Sequence, residues 1–291
     1  MSTSPMSLKR PREEAKSEEI ILTLLNVKLL TKIISVAKAE EDIEIKFCAS
    51  GQVQIYAALQ SNIALYHVNI VPMQYKTAII FFSRTLSDSG LEIVLKLNTS
   101  SLIRILTNIG ALNAKKIIMK VTDTLLELTA YSTDKKMLAQ VGIKVLDGDG
   151  TMVVNDELEY GGTTVIDAKK FIPLMASDAD VSMTLEPPQK RLKVESEDDF
   201  ATSKNFLYLA KPPVLDFSLS FGKVVIGLFK AVLTVFASID SSTLKDEDEE
   251  GKVVQETTIS FHPELPLMVS KTFFGVTVKL YIAPKNDEEE E

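Results

Sequence analysis

The sequence is poor in the residues that metal sites, redox sites and disulfide frameworks require. Its 291 residues include a single cysteine, Cys48, only two histidines, His67 and His262, and no tryptophan. One cysteine excludes a disulfide within the chain and is typical of a reducing compartment. These residues are too few for a zinc finger or a Cys/His metal cluster. We therefore expect no metal and no cofactor.

Long apolar runs are also absent. No segment approaches the roughly 18 to 20 consecutive apolar residues that a transmembrane helix needs, so we expect no membrane partner. The amino-terminal residues MSTSPMSLKRPREEAK have no apolar stretch after their charges, and the sequence predicts no secretory signal. With 45% hydrophobic and 25% charged residues, the composition is that of a globular protein long enough for two domains.

Common catalytic motifs are missing as well. The sequence has no P-loop, GxGxxG, HExxH or GxSxG segment. His67 lies in a strand-like run and His262 in the segment FHPELP, and a histidine in either setting is more often structural than catalytic. Cys48 ends a predicted strand, where a small buried hydrophobe is its usual role. The sequence therefore indicates a protein that is not an enzyme, and we name no catalytic residue.

The negative charge of the chain is concentrated in two short runs. Residues 246–250 and 286–291 each carry five negative charges, whereas the formal net charge of the whole chain is −8. Everything outside these two runs is therefore slightly basic. The acidity of the chain as a whole does not exclude a polyanionic partner, for which a basic stripe on one face would matter more.

Both halves of the chain have the same order of elements: helix, strands, helix, strands. Helical spacing occurs at 27–38 and 99–110, and again at about 167–176 and 222–232. Segment 99–110 begins with Thr and Ser and ends at Gly110, as helices often do. Period-two alternation predicts strands at 42–47, 52–57, 91–97, 116–121, 125–129, 137–145, 181–185, 191–195, 206–211, 214–221, 257–261, 267–271 and 275–282. These patterns predict an α+β fold of two similar domains.

Composition marks the boundaries between these units. Residues 1–19 have no apolar periodicity and are interpreted as a disordered arm of basic and acidic residues. The Gly- and Asp-rich segment after the last strand of the first half is interpreted as a connector. The predicted organisation is an arm (1–19), a first domain (20–146), an interdomain connector (147–162), a second domain (163–285) and an acidic tail (286–291).

Two short basic runs each allow two interpretations. KRPR at 9–12 is either a nuclear-import signal or part of a solvated tail, and the sequence leaves both open. QKRLKVE at 189–195 could be a second import signal, but Leu192 and Val194 alternate with charged residues as in a strand. We favour the strand.

Basic residues lie opposite the apolar stripe of the predicted helices. In the last helix the stripe is predicted to be Val224, Val225, Leu228 and Ala231. The basic residues of the four helices are Lys28, Lys32, Arg104, Lys169, Lys170, Lys223 and Lys230. They form either ordinary solvated faces or one surface that contacts DNA phosphates without reading bases. Spacing alone does not decide, because it does not show that the helices are neighbours.

Several segments resemble the proliferating cell nuclear antigen (PCNA) family of DNA sliding clamps. The ending VTVKLYIAPKNDEEEE resembles the family's last strand, Tyr-x-Ala-Pro-Lys segment and acidic tail. FSLSFGKVVIGLFKAV and TISFHPELPLMVS are similar to the last helix and the strand pair after it. LNVKLLTKII, CASGQVQI, LQSNIALYHVNI and LKLNTSSLIRILTNIG follow the order of elements in the family's first half. The resemblance covers about residues 20–285. The arm and the acidic run at 246–250 exceed a minimal clamp, which indicates a divergent member and leaves a viral origin open.

The resemblance implies a ring of three subunits, each with two domains of two helices packed on antiparallel sheet. The basic helices would line the channel, with Lys28, Lys32, Arg104, Lys169, Lys223 and Lys230 facing DNA. It also implies a processivity factor that encircles duplex DNA, without sequence specificity, and tethers a DNA polymerase and other replication and repair enzymes. A clamp loader would be a further partner. The implied location is the nucleus, or a viral replication compartment for a viral protein.

The resemblance also implies two protein-binding surfaces. Partners with a short hydrophobic motif would bind Asn62, Ile63, Val153, Pro266, Tyr281, Ile282, Ala283 and Pro284. Ring closure would pair two edge strands of neighbouring subunits through Met137, Ala139, Val141 and Ile143 on one side and Phe206 and Tyr208 on the other. Two alternatives stay open: a subunit of a heterotrimeric checkpoint-type clamp, and a monomeric β-rich interaction scaffold that does not encircle DNA.

Overall fold

Seventeen strands and four α-helices make up the described part of the chain. The computed structural model describes residues 20–48, 50–59, 63–73, 80–85, 92–122, 124–146, 158–175, 179–197, 201–209, 217–243, 256–262 and 265–284. The helices are α1 (Val27–Ile34), α2 (Thr99–Ala111), α3 (Ala168–Phe171) and α4 (Lys223–Thr243). A 3₁₀ turn, Ser35–Ala37, continues α1, and another, Ile172–Leu174, continues α3.

The strands divide between the two halves of the chain. Those of the first half are β1 (Ile20–Leu24), β2 (Asp42–Cys48), β3 (Val53–Leu59), β4 (Ala64–Ile70), β5 (Ile80–Thr85), β6 (Glu92–Asn98), β7 (Lys116–Val121), β8 (Leu125–Tyr131) and β9 (Met137–Lys144). Those of the second half are β10 (Gly162–Ile166), β11 (Asp180–Glu186), β12 (Arg191–Glu197), β13 (Thr202–Tyr208), β14 (Phe217–Phe221), β15 (Thr257–Phe261), β16 (Leu267–Phe273) and β17 (Val276–Ile282). The predicted α+β class is confirmed. Strand β12 includes residues 191–195, so the strand interpretation of the run at 189–195, which we favoured, is confirmed.

The strands form three antiparallel sheets. Their orders are β5-β1-β7-β8-β9, β10-β15-β16-β17-β4-β3-β2-β6, and β13-β12-β11-β14. In the eight-stranded sheet, β4 of the first half pairs with β17 of the second, with Leu65 opposite Tyr281. The two halves therefore share one continuous sheet. β9 and β13 each lie at the outer edge of a different sheet.

The helices form one layer. α1 packs against α2, α3 packs against α4, and α4 also contacts α1 and the 3₁₀ turn that follows it. The predicted stripe of α1, which includes Leu29, Leu30 and Ile33, is buried. At the α3–α4 contact, the rings of Phe171 and Phe229 meet edge to face with centroids 5.8 Å apart. The layer thus runs α2–α1–α4–α3, and its apolar sides are buried in the core.

Asparagine residues cap the first two helices. Asn26 Oδ1 accepts a hydrogen bond from Leu29 N at 3.0 Å, and Asn98 Oδ1 accepts one from Ser101 N at 2.9 Å. The expectation that α2 begins with a Thr/Ser cap and ends at Gly110 is wrong. The helix runs one residue past Gly110. The residue with a left-handed backbone after the helix is Asn113, with φ 51°.

α4 differs from its prediction in length and in its buried face. It extends to Thr243, and the expected stripe members Val224 and Ala231 are exposed. The buried side consists of Val225, Ile226, Leu228, Phe229, Val232, Leu233, Phe236, Ala237 and Ile239. The predicted helix ended at residue 232, before the larger apolar residues of the next two turns. Because those later residues are buried, the buried side of α4 lies away from Val224, which is exposed next to Lys223.

Four strands depart clearly from the sequence prediction. β13 begins at Thr202 rather than at Phe206, and β1, β5 and β10 were not among the predicted strands. The first residues of β13, Thr202 to Lys204, are all polar and exposed. Because β13 has a neighbour on one side only, its ladder forms without the apolar alternation that marks a half-buried strand.

Candidate nucleic-acid interface

The exposed side of the helix layer is cationic. The sequences of the four helices contain seven lysine and arginine residues and a single carboxylate, Asp240 in α4. Of the six predicted DNA-facing residues, five are exposed and Lys230 is half-buried. All six lie on sides of the helices that face away from the buried stripes. Because the helices are neighbours, the fold brings these cations from both halves of the chain onto one surface.

These cations are not neutralised by neighbouring carboxylates. Across the described ranges, no ion pair involves Lys28, Lys32, Arg104, Lys169, Lys223 or Lys230. The remaining helical cation, Lys170, lies 3.7 Å from Asp167. Unpaired ammonium and guanidinium groups on one face produce a positive potential that attracts a polyanion.

Several cations on the sheets are in the opposite situation. Lys46 Nζ lies 2.9 Å from Glu92, Lys96 Nζ lies 3.0 Å from Asp42, and Lys204 Nζ lies 2.9 Å from Glu195. The hydrogen bond to Glu92 raises the pKa of Lys46. Hydrogen bonds from Lys193 and Lys204 lower the pKa of Glu195. These sheet cations are paired, whereas Lys116 and Lys144 are exposed and have no ion pair among the described residues. The helix layer differs because its unpaired cations are grouped on one surface.

The helix layer also contains residues that the sequence analysis did not select. Lys38 is exposed at the end of the 3₁₀ turn after α1. Its six-residue separation from Lys32 is not a helical spacing, so periodicity provided no signal for it. On α4 the exposed side includes Gly227, where an added Cβ would have no heavy atom within 4 Å beyond its own helix turn. The backbone of α4 is therefore open to close approach beside Lys223 and Lys230.

The predicted edge-strand residues lie on open edges. Met137 is 55% exposed on β9, and Phe206 and Tyr208 are 40% and 73% exposed on β13. Ala139 and Val141 are half-buried. Ile143 is 5% exposed and pairs with buried Leu126, so its side chain belongs to the core and offers no contact surface.

Leu138 is an edge residue that the sequence analysis missed. Tyr131 pairs with Met137 and Ala130 pairs with Ala139, so a bulge leaves Leu138 between two pairs. Its side chain is 44% exposed. Regular alternation gives no signal for such an insertion, because the bulge changes the face on which the following residues lie.

The predicted partner-binding residues converge where β4 begins and β17 ends. Ala283 N donates a hydrogen bond to Ile63 O at 3.0 Å, and Ile63 is exposed. Tyr281 and Ile282 are buried strand residues, so they support the site more than they line it. Pro266, Ala283 and Pro284 are half-buried beside them, whereas Asn62 and Val153 lie outside the described residues.

Tyr160 is a further residue of this region. Its hydroxyl is buried and, in the part of the chain that the structure describes, has no hydrogen-bond partner. Burial, with a smaller effect of Tyr281, raises the pKa of Tyr160 to about 12. The hydroxyl therefore stays protonated. Tyr160 falls in the predicted connector and was not among the predicted site residues.

Neither a metal site nor a membrane helix is found in the described ranges. No group of three or more His, Cys, Asp or Glu side chains there could hold a metal ion. No helix in those ranges is both long and apolar enough to cross a membrane.

Comparison with solved structures identifies the fold, whereas comparison with family models and curated proteins finds no match. No protein-family model and no curated protein matches the chain. A crystal structure of proliferating cellular nuclear antigen from Entamoeba histolytica is similar to this chain, with a TM-score of 0.69 and 15% sequence identity. The match covers 92% of this chain and 99% of that chain. The chain therefore has the PCNA clamp fold from one end of that structure to the other.

Proposed function

We propose that this protein is a DNA sliding clamp, a non-enzymatic processivity factor that encircles duplex DNA and tethers replication and repair enzymes to it. One observation carries the proposal. A continuous layer of helices from both halves presents six cations, five exposed and one half-buried, that have no ion-pair partner among the described residues. Such a surface suits phosphate groups, which every DNA sequence presents alike.

The character of the cationic surface favours sliding over specific binding. Lysine and arginine contacts to phosphates position a protein on DNA but carry no sequence information. Many weak contacts of this kind can exchange one phosphate for the next as the protein moves. On α4 the exposed side also includes the small or short residues Gly227, Ala231 and Thr234, together with Val224.

In the proposed assembly three copies close into a ring by pairing β9 of one copy with β13 of the next. Among the described strands, β9 and β13 each have a neighbour on one side only, which supports this arrangement. A polymerase and other partners with short hydrophobic motifs would bind at Ile63 and the neighbouring residues of β17, and a clamp loader would open the ring. We place this activity in the nucleus, or in a viral replication compartment for a viral protein.

The test is retention on circular duplex DNA and stimulation of polymerase processivity. The variant replaces Lys28, Lys32, Arg104 and Lys230 by glutamine. A matched control removes the same charge from Lys46, Lys96, Lys115 and Lys116, which lie in or beside strands. We expect the helix variant to lose retention and processivity while the control keeps both. For every phosphate that the variant no longer binds, the slope of log K against log salt should become shallower by about 0.9.

Two results would count against the proposal. Equal loss in the helix variant and its control would mean that total charge matters and the helix layer does not. No loss in either would favour the monomeric scaffold. Light scattering on the wild type separates the remaining alternative: a subunit of a heterotrimer should stay near the 32.2 kDa of one chain until its partners are added.

A further inference from the structure

An arginine holds the exposed aromatic pair at the edge of β13. The Arg191 guanidinium carbon lies 4.0 Å from the centre of the Phe206 ring. Arg191 Nε donates a hydrogen bond to a Glu186 carboxylate oxygen. Glu186 and, to a smaller extent, the neighbouring Tyr208 raise the pKa of Arg191. Arg191 stands directly opposite both Glu186 on β11 and Tyr208 on β13. The two aromatic side chains are thus fixed in place although they are exposed.

A fixed, exposed aromatic pair beside an arginine has the composition of a protein-binding hot spot. Aromatic and arginine side chains dominate binding energy at interfaces, especially when little side-chain freedom is lost on binding. Phe206 and Tyr208 also border the unpaired edge of their sheet. A partner strand added to that edge would bring its own side chains against the two rings.

The chain itself carries a strand that complements this edge. β9 has eight residues and β13 has seven. Met137 and Leu138 are exposed at the amino end of β9, and Lys144 is exposed at its carboxyl end. β13 has its aromatic pair at the carboxyl end. At its amino end, Thr202 pairs with Glu197, which is exposed.

Only an antiparallel pairing of β9 with β13 of a second copy gives favourable contacts at both ends of the two strands. It places Met137 and Leu138 against the aromatic pair, and Lys144 near Glu197. Neither Lys144 nor Glu197 forms an ion pair within the described residues. A parallel arrangement would bring Lys144 toward Arg191 instead, which places like charges together.

We propose that Arg191 is a positioning residue that presets Phe206 and Tyr208 to bind Met137 and Leu138 of a second copy of this chain. The cluster of these three β12–β13 side chains is the principal contact of a head-to-tail interface. This inference rests on the proposed ring, for which it names the residues that hold neighbouring copies together.

The first experiment uses the head-to-tail character of the contact. One variant, Phe206→Ala with Tyr208→Ala, loses only the β13 surface, and a second, Met137→Ser with Leu138→Asp, loses only the β9 surface. Each alone should have the 32.2 kDa mass of one chain by light scattering. Mixed together they should form a species of twice that mass and no larger, because each keeps one intact surface. Val94→Ser with Val165→Ser, at exposed edge positions of the eight-stranded sheet, is the matched control and should keep the wild-type mass.

The second experiment tests the role of Arg191. Loss of the aromatic pair should weaken association by about 30-fold or more. Arg191→Gln should weaken it by roughly 3- to 30-fold, but should add almost nothing when Phe206 and Tyr208 are already alanine. A structural role of Arg191 would instead lower the unfolding temperature and act equally in both backgrounds.

The outcomes separate this inference from the proposed function. A β13 variant that keeps the wild-type mass on dilution, or a mixture that stays at one chain, would overturn the inference even if the protein retains DNA. The mixed dimer would support it even if the helix variant retains DNA as well as wild type, a result that would reject the sliding clamp. A wild type that is a single chain at every concentration would overturn the inference directly.

Discussion

Replacing Gly227 by alanine should make the protein more stable. Gly227 lies in the interior of α4, 4 residues after the helix begins, and is exposed. Its added Cβ would meet no heavy atom within 4 Å beyond its own turn of helix, so the substitution introduces no overlap. Alanine in a helix interior is more favourable than glycine by about 0.8–1.0 kcal/mol, mainly because glycine loses more backbone freedom on folding. We expect that gain, and a rise of roughly 2–4 °C in the unfolding temperature.

The same substitution at Gly275 provides the contrast. Gly275 has φ 75° in the turn between β16 and β17, after Phe274 with φ 44°. Both residues are left-handed, as a two-residue hairpin turn requires. A Cβ at Gly275 would overlap the Met73 sulfur and the Val71 carbonyl oxygen. Gly275→Ala should therefore lower the free energy of unfolding by more than about 1 kcal/mol.

Denaturant titration of both variants, followed by circular dichroism, measures the two effects in one protein. The opposite signs are the essential result, since a general effect of adding a methyl group would act in one direction. If Gly227→Ala were destabilising, that side of α4 would have to be packed against something. The open, cationic helix surface on which the proposed function depends would then be wrong.

Three further predictions concern single residues. Gly227→Glu should stabilise α4 by about 1 kcal/mol, because glutamate has a higher helix propensity than glycine and can pair with Lys223 and Lys230. The same substitution should weaken DNA retention. Unchanged salt dependence of DNA binding would contradict the assignment of this surface. Asn98→Ala should lower the free energy of unfolding by about 1 kcal/mol in a denaturant titration, whereas Asn98→Asp should retain most of it; equal loss would rule out capping. Burial raises the pKa of Tyr66 from its ordinary value of 10.0, so the unfolded state loses that proton first. Stability should then fall by about 1.4 kcal/mol per pH unit above pH 10, and a Tyr66→Phe variant with the same slope would refute this.

Elements with one buried face were predictable from the sequence. β7 and β15 have the bounds that alternation predicts, because every second side chain enters the core. The stripe of α1 was found for the same reason, since its buried residues recur at helical spacing. In an element buried on one side, the apolar residues that face the core recur with the period of the helix or strand. Where burial is regular, the elements could be predicted without the structure.

Features that depend on distant neighbours could not be predicted this way. The polar start of β13 is a strand only because β12 pairs with it. Leu138 lies at a bulge that β9 forms against β8, and alternation gives no signal for a bulge. Above all, spacing assigned cations to each helix, but only the contacts of α4 with both α1 and α3 bring them onto one surface. The residues of the candidate site were thus predictable one helix at a time, and their assembly was not.

The distribution of carboxylates gives the strongest reason to connect that surface with function. The chain has 40 Asp and Glu residues and 32 Lys and Arg residues, so carboxylates are not scarce. On the sheets they pair with lysines, as Asp42 does with Lys96. A glutamate one turn from a helical lysine would stabilise each helix by about 0.2–0.5 kcal/mol, yet among the four described helices only α4 contains a carboxylate, Asp240 near its end. Lys170 pairs with Asp167, which precedes α3, but the other six helical cations lack this favourable pairing within the described residues. Stability alone does not account for that lack. A surface that must keep its positive charge for phosphates does, and a scaffold that never meets DNA has no need of it.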